Sequence, residues 1–158
     1  MSAVKDDLIP IPDSVYTSPL SRCLETTRLV FEPVLLHDGH SFQPRVDEGL
    51  RERLTNHTCD RRRSKSWIQE SYPDYILDAD LSENDELWTG KTEWETASEH
   101  EVRKQVTMER IWKNDIAPFV AVVTHSYAIS AILGVLGLPQ FRVKEGNCVA
   151  IMVKAEKI

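Results

Sequence analysis

The hydrophobic pattern is clearest in the last third of the chain, where a β-branched run precedes apolar positions at helical spacing. The run Val120–Thr124 predicts a strand buried on both faces. The following positions predict a helix with Ser126 at its N-cap and Gly137 at its end, whose apolar residues are Ala128, Ile129, Ile132, Leu133 and Leu136. His125 therefore lies at the carboxyl end of a strand and beside a helix N-terminus. Open α/β sheets bind ligands at such positions, and the helix end favours an anion.

A second strand and helix are predicted near the start of the chain. Residues Ser14–Thr17 form a short strand candidate, and the next helix would have Ser18 as N-cap and Pro19 in its first turn. Pro33 would end this helix. Arg22 lies in its first turn, and its inward face would consist of Leu20, Cys23, Leu24, Thr27, Val30 and Phe31.

The remaining elements are predicted from shorter patterns. Pro44–Asp47 and Cys148–Lys154 are strand candidates, and Thr92–Glu95 has the sequence of a capping box that opens a helix running to about Asp115. No repeat or interdomain linker interrupts the pattern. We therefore predict one α/β domain over residues 1–158.

Composition and charge exclude several classes of protein. The 158 residues are 41% hydrophobic and 28% charged, as in ordinary globular proteins. A net charge of −6 disfavours binding to nucleic acid, and no apolar run approaches the ~20 residues of a membrane span. Three cysteines without C-x-x-C spacing indicate neither disulfides nor zinc, and the first residues lack the apolar core of a signal peptide. We expect a cytoplasmic protein without a metal or cofactor.

An arginine triplet, Arg61–Arg63, follows His57 in a basic stretch of the chain. Guanidinium groups suit phosphate or carboxylate ligands, so the triplet is compatible with an acidic ligand. It is equally compatible with pairing to the acidic stretch 78–101.

Several short motifs occur in a fixed order, and together they resemble the histidine phosphatase superfamily, which includes phosphoglycerate mutases and phosphomonoesterases. The motifs are Ser18-Pro-Leu-Ser-Arg22, Leu50-Arg-Glu52 and Val-Val-Thr-His125. The phrase His57-Thr-Cys-Asp-Arg-Arg-Arg-Ser64, with Asp85-Glu-Leu-Trp88 after it, is similar to the fungal phosphomutase-like branch. The resemblance implies a three-layer sheet flanked by helices and phosphoryl transfer through a phosphohistidine.

The resemblance also implies roles for individual residues. Arg22 and a protonated His125 would bind the phosphoryl oxygens, together with Ser126. Glu52 would protonate the leaving group, which requires a raised pKa. The wider substrate pocket would include Arg51, His57, Arg61 and Arg62. The expected partner is a small phosphorylated or acidic molecule.

One part of the family pattern is absent. The nucleophilic histidine of the family lies in an Arg-His-Gly motif after its first strand, but no histidine or arginine precedes Ser18 here. His37-Asp-Gly-His40 is a poor substitute, because it follows a helix and has no adjacent arginine. We therefore expect an N-terminally incomplete domain that lacks its first, central strand. The strands carrying Val15 and Val122 would flank the gap, with backbone groups unpaired or paired in an unusual register. Otherwise the fold would close around the gap, or another chain would supply the missing strand. Unpaired strand edges would promote self-association.

Three functions remain open from the sequence. The first is a phosphomonoesterase or mutase represented here by a truncated chain, whose nucleophile would precede residue 1. The second is a degenerate relative that keeps an anion pocket but binds or scaffolds instead of catalysing. The third is a scaffold recruited to non-phosphate chemistry in a fungal biosynthetic pathway, with His125 and Glu52 as acid and base. As written, the chain is not expected to turn over phosphomonoesters.

Overall fold

Four parallel strands form one sheet in the spatial order β3-β2-β1-β4. The computed structural model describes residues 10–88 and 93–154. Its strands and helices, in chain order, are β1 Ser14–Thr17, α1 Ser21–His37, β2 Arg45–Val46, α2 Lys65–Ser71, β3 Ile76–Leu77, α3 Ala97–Asn114, β4 Val120–Val123 and α4 Ser126–Val135. In the described ranges, no helix is both long and apolar enough to cross a membrane.

Helices cover both faces of the sheet, because alternate residues of β1 point to opposite sides. Val15 packs into a cluster with Leu24 and Leu35 of α1 and with Ile68 of α2. Tyr16 packs into a second cluster, whose other buried members are Leu50, Met108, Ile111 and Ile132. The second cluster joins α3 and α4 to the other face of the sheet. The predicted α/β architecture is confirmed.

Because the strands are parallel, their carboxyl ends lie along one edge of the sheet. The residues that follow β1, β2 and β4 are therefore neighbours in space, although they are far apart in the chain. Ser18 N–H donates to the Val123 carbonyl at 3.0 Å, and Thr124 Oγ1 donates to the Leu50 carbonyl at 2.6 Å. These bonds tie the three connections together at the place where the sequence motifs occur.

The position of β4 corrects two expectations. Val120 is 37% exposed and the rest of β4 is half-buried, so this strand is not buried on both faces. The reason is that β4 lies at the edge of the described sheet. In addition, β1 and β4 pair directly, with Val15 opposite Ala121 and Tyr16 opposite Val122. No open gap therefore separates these strands, and the outer edges of the described sheet belong to β4 and β3.

The strand predicted over residues 148–154 does not form, since no partner pairs with it among the described residues. Met152 is fully exposed there. The structure also contains two elements that the sequence pattern missed, α2 and β3. Both are short, and β3 consists of two residues.

The predicted limits of α1 are wrong at both ends. Leu20 is its N-cap, whereas Ser18 is fully buried before the helix and accepts a bond from Leu20 N–H. Pro33 lies inside the helix, which continues to His37. A proline removes one helical N–H and disfavours the helix, but the packing of Val34 and Leu35 into the core outweighs that cost.

The caps of α3 and α4 show how local motifs set helix ends. The capping box of α3 is formed by Thr96 and Glu99, four residues later than predicted, and Thr92 lies outside the described residues. His125 is the N-cap of α4, with Ser126 as its first helical residue. The end at Gly137 is confirmed: its φ is +70°, and Leu138 N–H donates to the Leu133 carbonyl at 2.9 Å.

Candidate functional site

Arg22 and His125 are in direct contact at the carboxyl edge of the sheet. Arg22 lies in the first turn of α1, and its Nε–H donates to Nδ1 of His125 at 3.1 Å. Its Nη1 donates to the Cys59 carbonyl at 2.6 Å, while Nη2 is 3.4 Å from Asp60 Oδ1. The side chain of Arg22 remains 45% exposed. The guanidinium is therefore held on two sides and still reaches solvent.

The contacts of His125 determine its tautomer. A guanidinium has only donors, so Nδ1 must be the acceptor and the ring proton lies on Nε2. The Nε2–H donates to Ser18 Oγ at 2.8 Å, and Cys23 Sγ lies 3.4 Å from the same nitrogen. Burial lowers the pKa of His125 to about 2, and the charge of Arg22 acts in the same direction. His125 is therefore neutral, which corrects the expectation of a protonated ring.

The same contacts limit the chemistry of the neighbouring side chains. Ser18 Oγ accepts a hydrogen bond from His125 Nε2–H, so the ring cannot act as a base toward this hydroxyl in the arrangement observed. Burial raises the pKa of the Cys23 thiol to about 12, which keeps it protonated and unreactive. Neither residue has the environment of an activated nucleophile.

Glu52 occupies the N-terminus of α4. Its Oε2 accepts from Tyr127 N–H at 3.2 Å, and its Oε1 accepts from Ala128 N–H at 3.1 Å and from Arg53 N–H at 2.9 Å. The anion predicted at this helix end is thus the carboxylate of the chain itself. The structure brings Glu52 close to His125, the N-cap of the same helix. Its role as proton donor stays a prediction.

Ser126, the third residue predicted to bind phosphate, points to another partner. Its Oγ accepts from Arg142 Nε–H at 3.3 Å, and the Arg142 guanidinium lies 4.2 Å from the centroid of the Tyr127 ring.

Next to Arg22 lies a cleft of about 560 Å³ that is rich in arginine. Among the described residues, its lining contains four arginines and no carboxylate: Leu20, Ser21, Arg22, Thr58, Cys59, Arg61, Arg62, Arg63, Ser64 and Trp67. His125 and Glu52 do not line it. Arg22 therefore connects the buried His125 with the open cleft.

Two side chains of the arginine triplet are exposed at the cleft, and the third is buried. Arg61 and Arg63 are exposed and lie over the rings of Trp88 and Trp67, at 5.2 and 5.3 Å from the ring centroids. Neither has a carboxylate partner among the described residues. The Arg62 guanidinium turns inward, where it pairs with Glu48 at 3.0 Å and donates to backbone carbonyls, including those of residues 82 and 84. Arg62 therefore meets the stretch 78–101 through backbone carbonyls, and its carboxylate partner, Glu48, lies outside that stretch. An acidic ligand for Arg61 and Arg63 stays a prediction.

Two residues assigned to the pocket lie elsewhere. The Arg51 side chain is fully buried and forms a bidentate pair with Asp85, at 2.6 and 2.9 Å, together with a pair to Glu48. It is thus part of the interior, because a buried guanidinium needs carboxylate partners. The exposed His57 packs its ring edge-on against Trp94 and does not line the cleft.

His37 and His40 lie far from this site. His37 is the last residue of α1, whose first turn carries Arg22, and a 17-residue helix is about 25 Å long. These histidines therefore lie near the amino ends of the strands, at the end of the sheet opposite to Arg22.

Four residues near the site were not identified from the sequence. Ser18 was assigned to a helix cap, and Arg63 was not distinguished from the rest of the triplet. Arg103 and Lys104 have the sequence pattern of ordinary charged positions on a surface helix. Only their contacts with residues 49–52, which are about 50 positions away in the chain, distinguish them.

Comparisons with known proteins show the family of the chain. The model of the histidine phosphatase superfamily (branch 1) matches residues 4–150. The chain therefore belongs to the histidine phosphatase superfamily.

Its relatives include fungal proteins. The chain is 35% identical over 148 residues to a probable phosphoglycerate mutase of Arthroderma benhamiae, covering 94% of this chain and 44% of that protein. It is 30% identical over 162 residues to the probable phosphoglycerate mutase PMU1 of Saccharomyces cerevisiae, covering 91% and 55%. A phosphomutase-like protein 3 of Candida albicans is 25% identical, covering 93% and 45%. The chain spans about half the length of these relatives.

Proposed function

We propose that residues 1–158 form the phosphate-holding part of a histidine phosphatase site, in which Arg22 binds the phosphoryl group of a small phosphomonoester. The observation that carries this proposal is the fixed but accessible Arg22 guanidinium, which borders a cleft without carboxylates. Such a guanidinium suits phosphate oxygens, and it needs little reorganisation because Nε and Nη1 are held by His125 and the Cys59 carbonyl, while Nη2 lies 3.4 Å from Asp60.

The cleft would receive the rest of the molecule. Arg61 and Arg63 stack on indole rings, an arrangement that leaves the N–H groups at the guanidinium edges free for an acidic substituent. The names of the fungal relatives favour a phosphorylated carboxylic acid as the ligand. Glu52 would protonate the leaving group, and its position at the start of α4 places it beside His125.

Binding by these residues does not by itself give phosphoryl transfer. Both ring nitrogens of His125 are engaged in hydrogen bonds, and no Arg-His-Gly sequence occurs among the 158 residues. We infer that the chain binds phosphomonoesters without forming a phosphohistidine. Turnover would need a nucleophilic histidine from outside these residues.

The test compares two arginines of α1 by calorimetric titration with methyl phosphate. Arg22→Gln should weaken binding by about tenfold or more, since a charged hydrogen bond contributes about 1.5–3 kcal/mol. Arg28→Gln is the matched control, because Arg28 lies on the same helix, is 48% exposed and pairs with Glu25. Wild-type protein incubated with a labelled phosphomonoester should yield no acid-labile phosphoprotein.

Two results would contradict the proposal. If the wild type and Arg22→Gln bind methyl phosphate with equal affinity, Arg22 does not bind the phosphoryl group. Turnover that disappears in His125→Ala, with phosphate trapped on His125 in the wild type, would establish this histidine as the nucleophile.

A further inference from the structure

The backbone that carries Glu52 is held more tightly than a surface connection requires. The four carbonyls of residues 49–52, which we call the Glu52 strip, all accept hydrogen bonds from side chains. The Leu50 carbonyl accepts from Thr124 Oγ1, at the end of β4. The other three accept from two consecutive residues of α3, Arg103 and Lys104.

The two side chains bind the strip in an overlapping manner. Arg103 Nη1 donates to the Gly49 carbonyl at 3.0 Å and to the Arg51 carbonyl at 3.1 Å, and its Nη2 donates to the Glu52 carbonyl at 3.0 Å. Lys104 Nζ donates to the carbonyls of Gly49 and Arg51 as well. The strip is therefore fixed at three points along its length by α3.

The strip also lies in van der Waals contact with the same face of α3. A Cβ atom on Gly49 would lie 1.9 Å from Thr107 Oγ1. Residues 103, 104 and 107 are one turn apart or adjacent, so they form one patch on the helix. A glycine at position 49 is what allows the backbone to approach this patch closely enough for the hydrogen bonds.

The charges in this region are arranged for hydrogen bonding rather than for binding an anion. Arg103 is neutralised by Glu95, which accepts from its Nε and Nη2 at 2.8 and 2.6 Å. Lys104 is fully buried, and burial followed by the charge of Arg103 lowers its pKa to about 6. A neutral amine has two N–H groups, and two carbonyls accept from this one.

We infer that Arg103 and Lys104 are positioning residues for Glu52: they fix the Glu52 strip so that the carboxylate reaches the N–H groups of Tyr127 and Ala128 at the start of α4. In this way α3 aligns the candidate proton donor with the helix that follows His125. The inference deepens the proposed function, since it concerns the same site. Its test uses no phosphate, so its failure is distinguishable from a failure of Arg22 to bind phosphate.

The experiment measures amide hydrogen exchange of the ligand-free protein by NMR. In Lys104→Met and in Arg103→Gln, the amides of Tyr127 and Ala128 should exchange about tenfold faster relative to the amide of Leu138, at the other end of α4. Glu52→Ala should affect the same two amides and defines the full effect, because it removes both acceptor oxygens. Lys113→Met is the matched control, because Lys113 is an exposed lysine in the last turn of α3.

Local and global effects are separated by the Leu138 reference. Faster exchange of Tyr127 and Ala128 with Leu138 unchanged supports the inference. An equal acceleration along all of α4 would mean that Arg103 and Lys104 only stabilise the fold, and this would overturn it. Unchanged exchange at Tyr127 and Ala128 in both variants would overturn it as well.

Discussion

Burial and the charge of Arg22 keep His125 uncharged in the folded protein, and this bears on how the proposed site would bind phosphate. Its Nδ1 accepts from Arg22 and its Nε2–H donates to Ser18, so the ring can offer a phosphoryl oxygen only an N–H group. The positive charge at the site therefore comes from arginine. Affinity for phosphate should then depend on Arg22 much more than on the protonation of His125.

We predict that His125 stays neutral, with its proton on Nε2, when the pH is lowered from 8 to 4. The reason is burial, which lowers its pKa to about 2. Nitrogen-detected NMR of the histidine rings measures both the charge and the tautomer. The same residue in urea-unfolded protein is the control and should titrate near pH 6.5. A folded ring that becomes charged above pH 5 would contradict the prediction.

The same pKa shift predicts how stability depends on pH. Between pH 6.5 and about 2, His125 binds a proton in the unfolded chain but not in the folded one, so its contribution to the free energy of unfolding decreases as the pH falls. The slope is about 1.4 kcal/mol per pH unit for one group. His100, whose pKa burial lowers to about 3, acts in the same direction. Urea denaturation between pH 7 and 5 measures the sum of these contributions, to which Lys104 adds above about pH 6 because burial lowers its pKa as well.

The candidate site was partly predictable at the level of residues. Arg22, Glu52 and His125 follow strand ends in short motifs, so their grouping could be inferred from the chain. Arg51 and Arg62 could not be separated from Arg61 and Arg63, because only the fold determines which guanidinium meets Asp85 or Glu48.

At the scale of elements, the N-terminus of α3 depends on its capping box. Thr96 Oγ1 accepts from Glu99 N–H, and the Glu99 carboxylate accepts from Thr96 N–H. Thr96→Ala should lower the free energy of unfolding by about 1 kcal/mol, as measured by urea denaturation. Ser98→Ala, at an exposed position of the same turn, is the control and should change it by less than about 0.5 kcal/mol. Equal effects of the two substitutions would be evidence against the cap.

Element ends were predictable where local bonds decide them and not where the core decides them. Gly137 ends α4 because a left-handed residue is needed there, and the sequence indicates it. The predicted start of α1 was wrong because Leu20, not Ser18, is the N-cap, and the Ser18 hydroxyl bonds to the His125 ring. Pro33 was predicted to end α1, but the helix continues past it because Val34 and Leu35 are buried in the core. The order of strands, and hence the exposure of β4, is set by pairing between distant segments.

At the scale of the whole molecule, the outer edge of β4 is unpaired within the described residues, and the run Phe119–Val123 carries no charge. Phe119 is 51% exposed. Two copies could pair antiparallel along this edge, since a two-fold contact is complementary to itself. We predict that the protein self-associates through β4, which sedimentation at several concentrations measures.

The test of this contact is a charge on the edge. Val120→Lys should shift the equilibrium toward monomer, because a lysine on an edge strand opposes pairing. Val106→Lys, on an exposed position of α3, is the matched control. A wild-type protein that is monomeric at every concentration would refute the prediction.

The direct pairing of β1 with β4 has a consequence for biosynthesis. The Phe119 N–H donates to Asp13, 106 positions earlier, and closing a loop of that length costs about 4 kcal/mol of entropy. At a translation rate of about 5–20 residues per second, β1 waits roughly 5–20 s for its partner strand to be synthesised. The contact between Arg22 and His125 spans a similar distance and forms only afterwards. During that interval the edge of β1 that β4 later covers has no partner, so we expect the nascent chain to aggregate more readily than the folded protein.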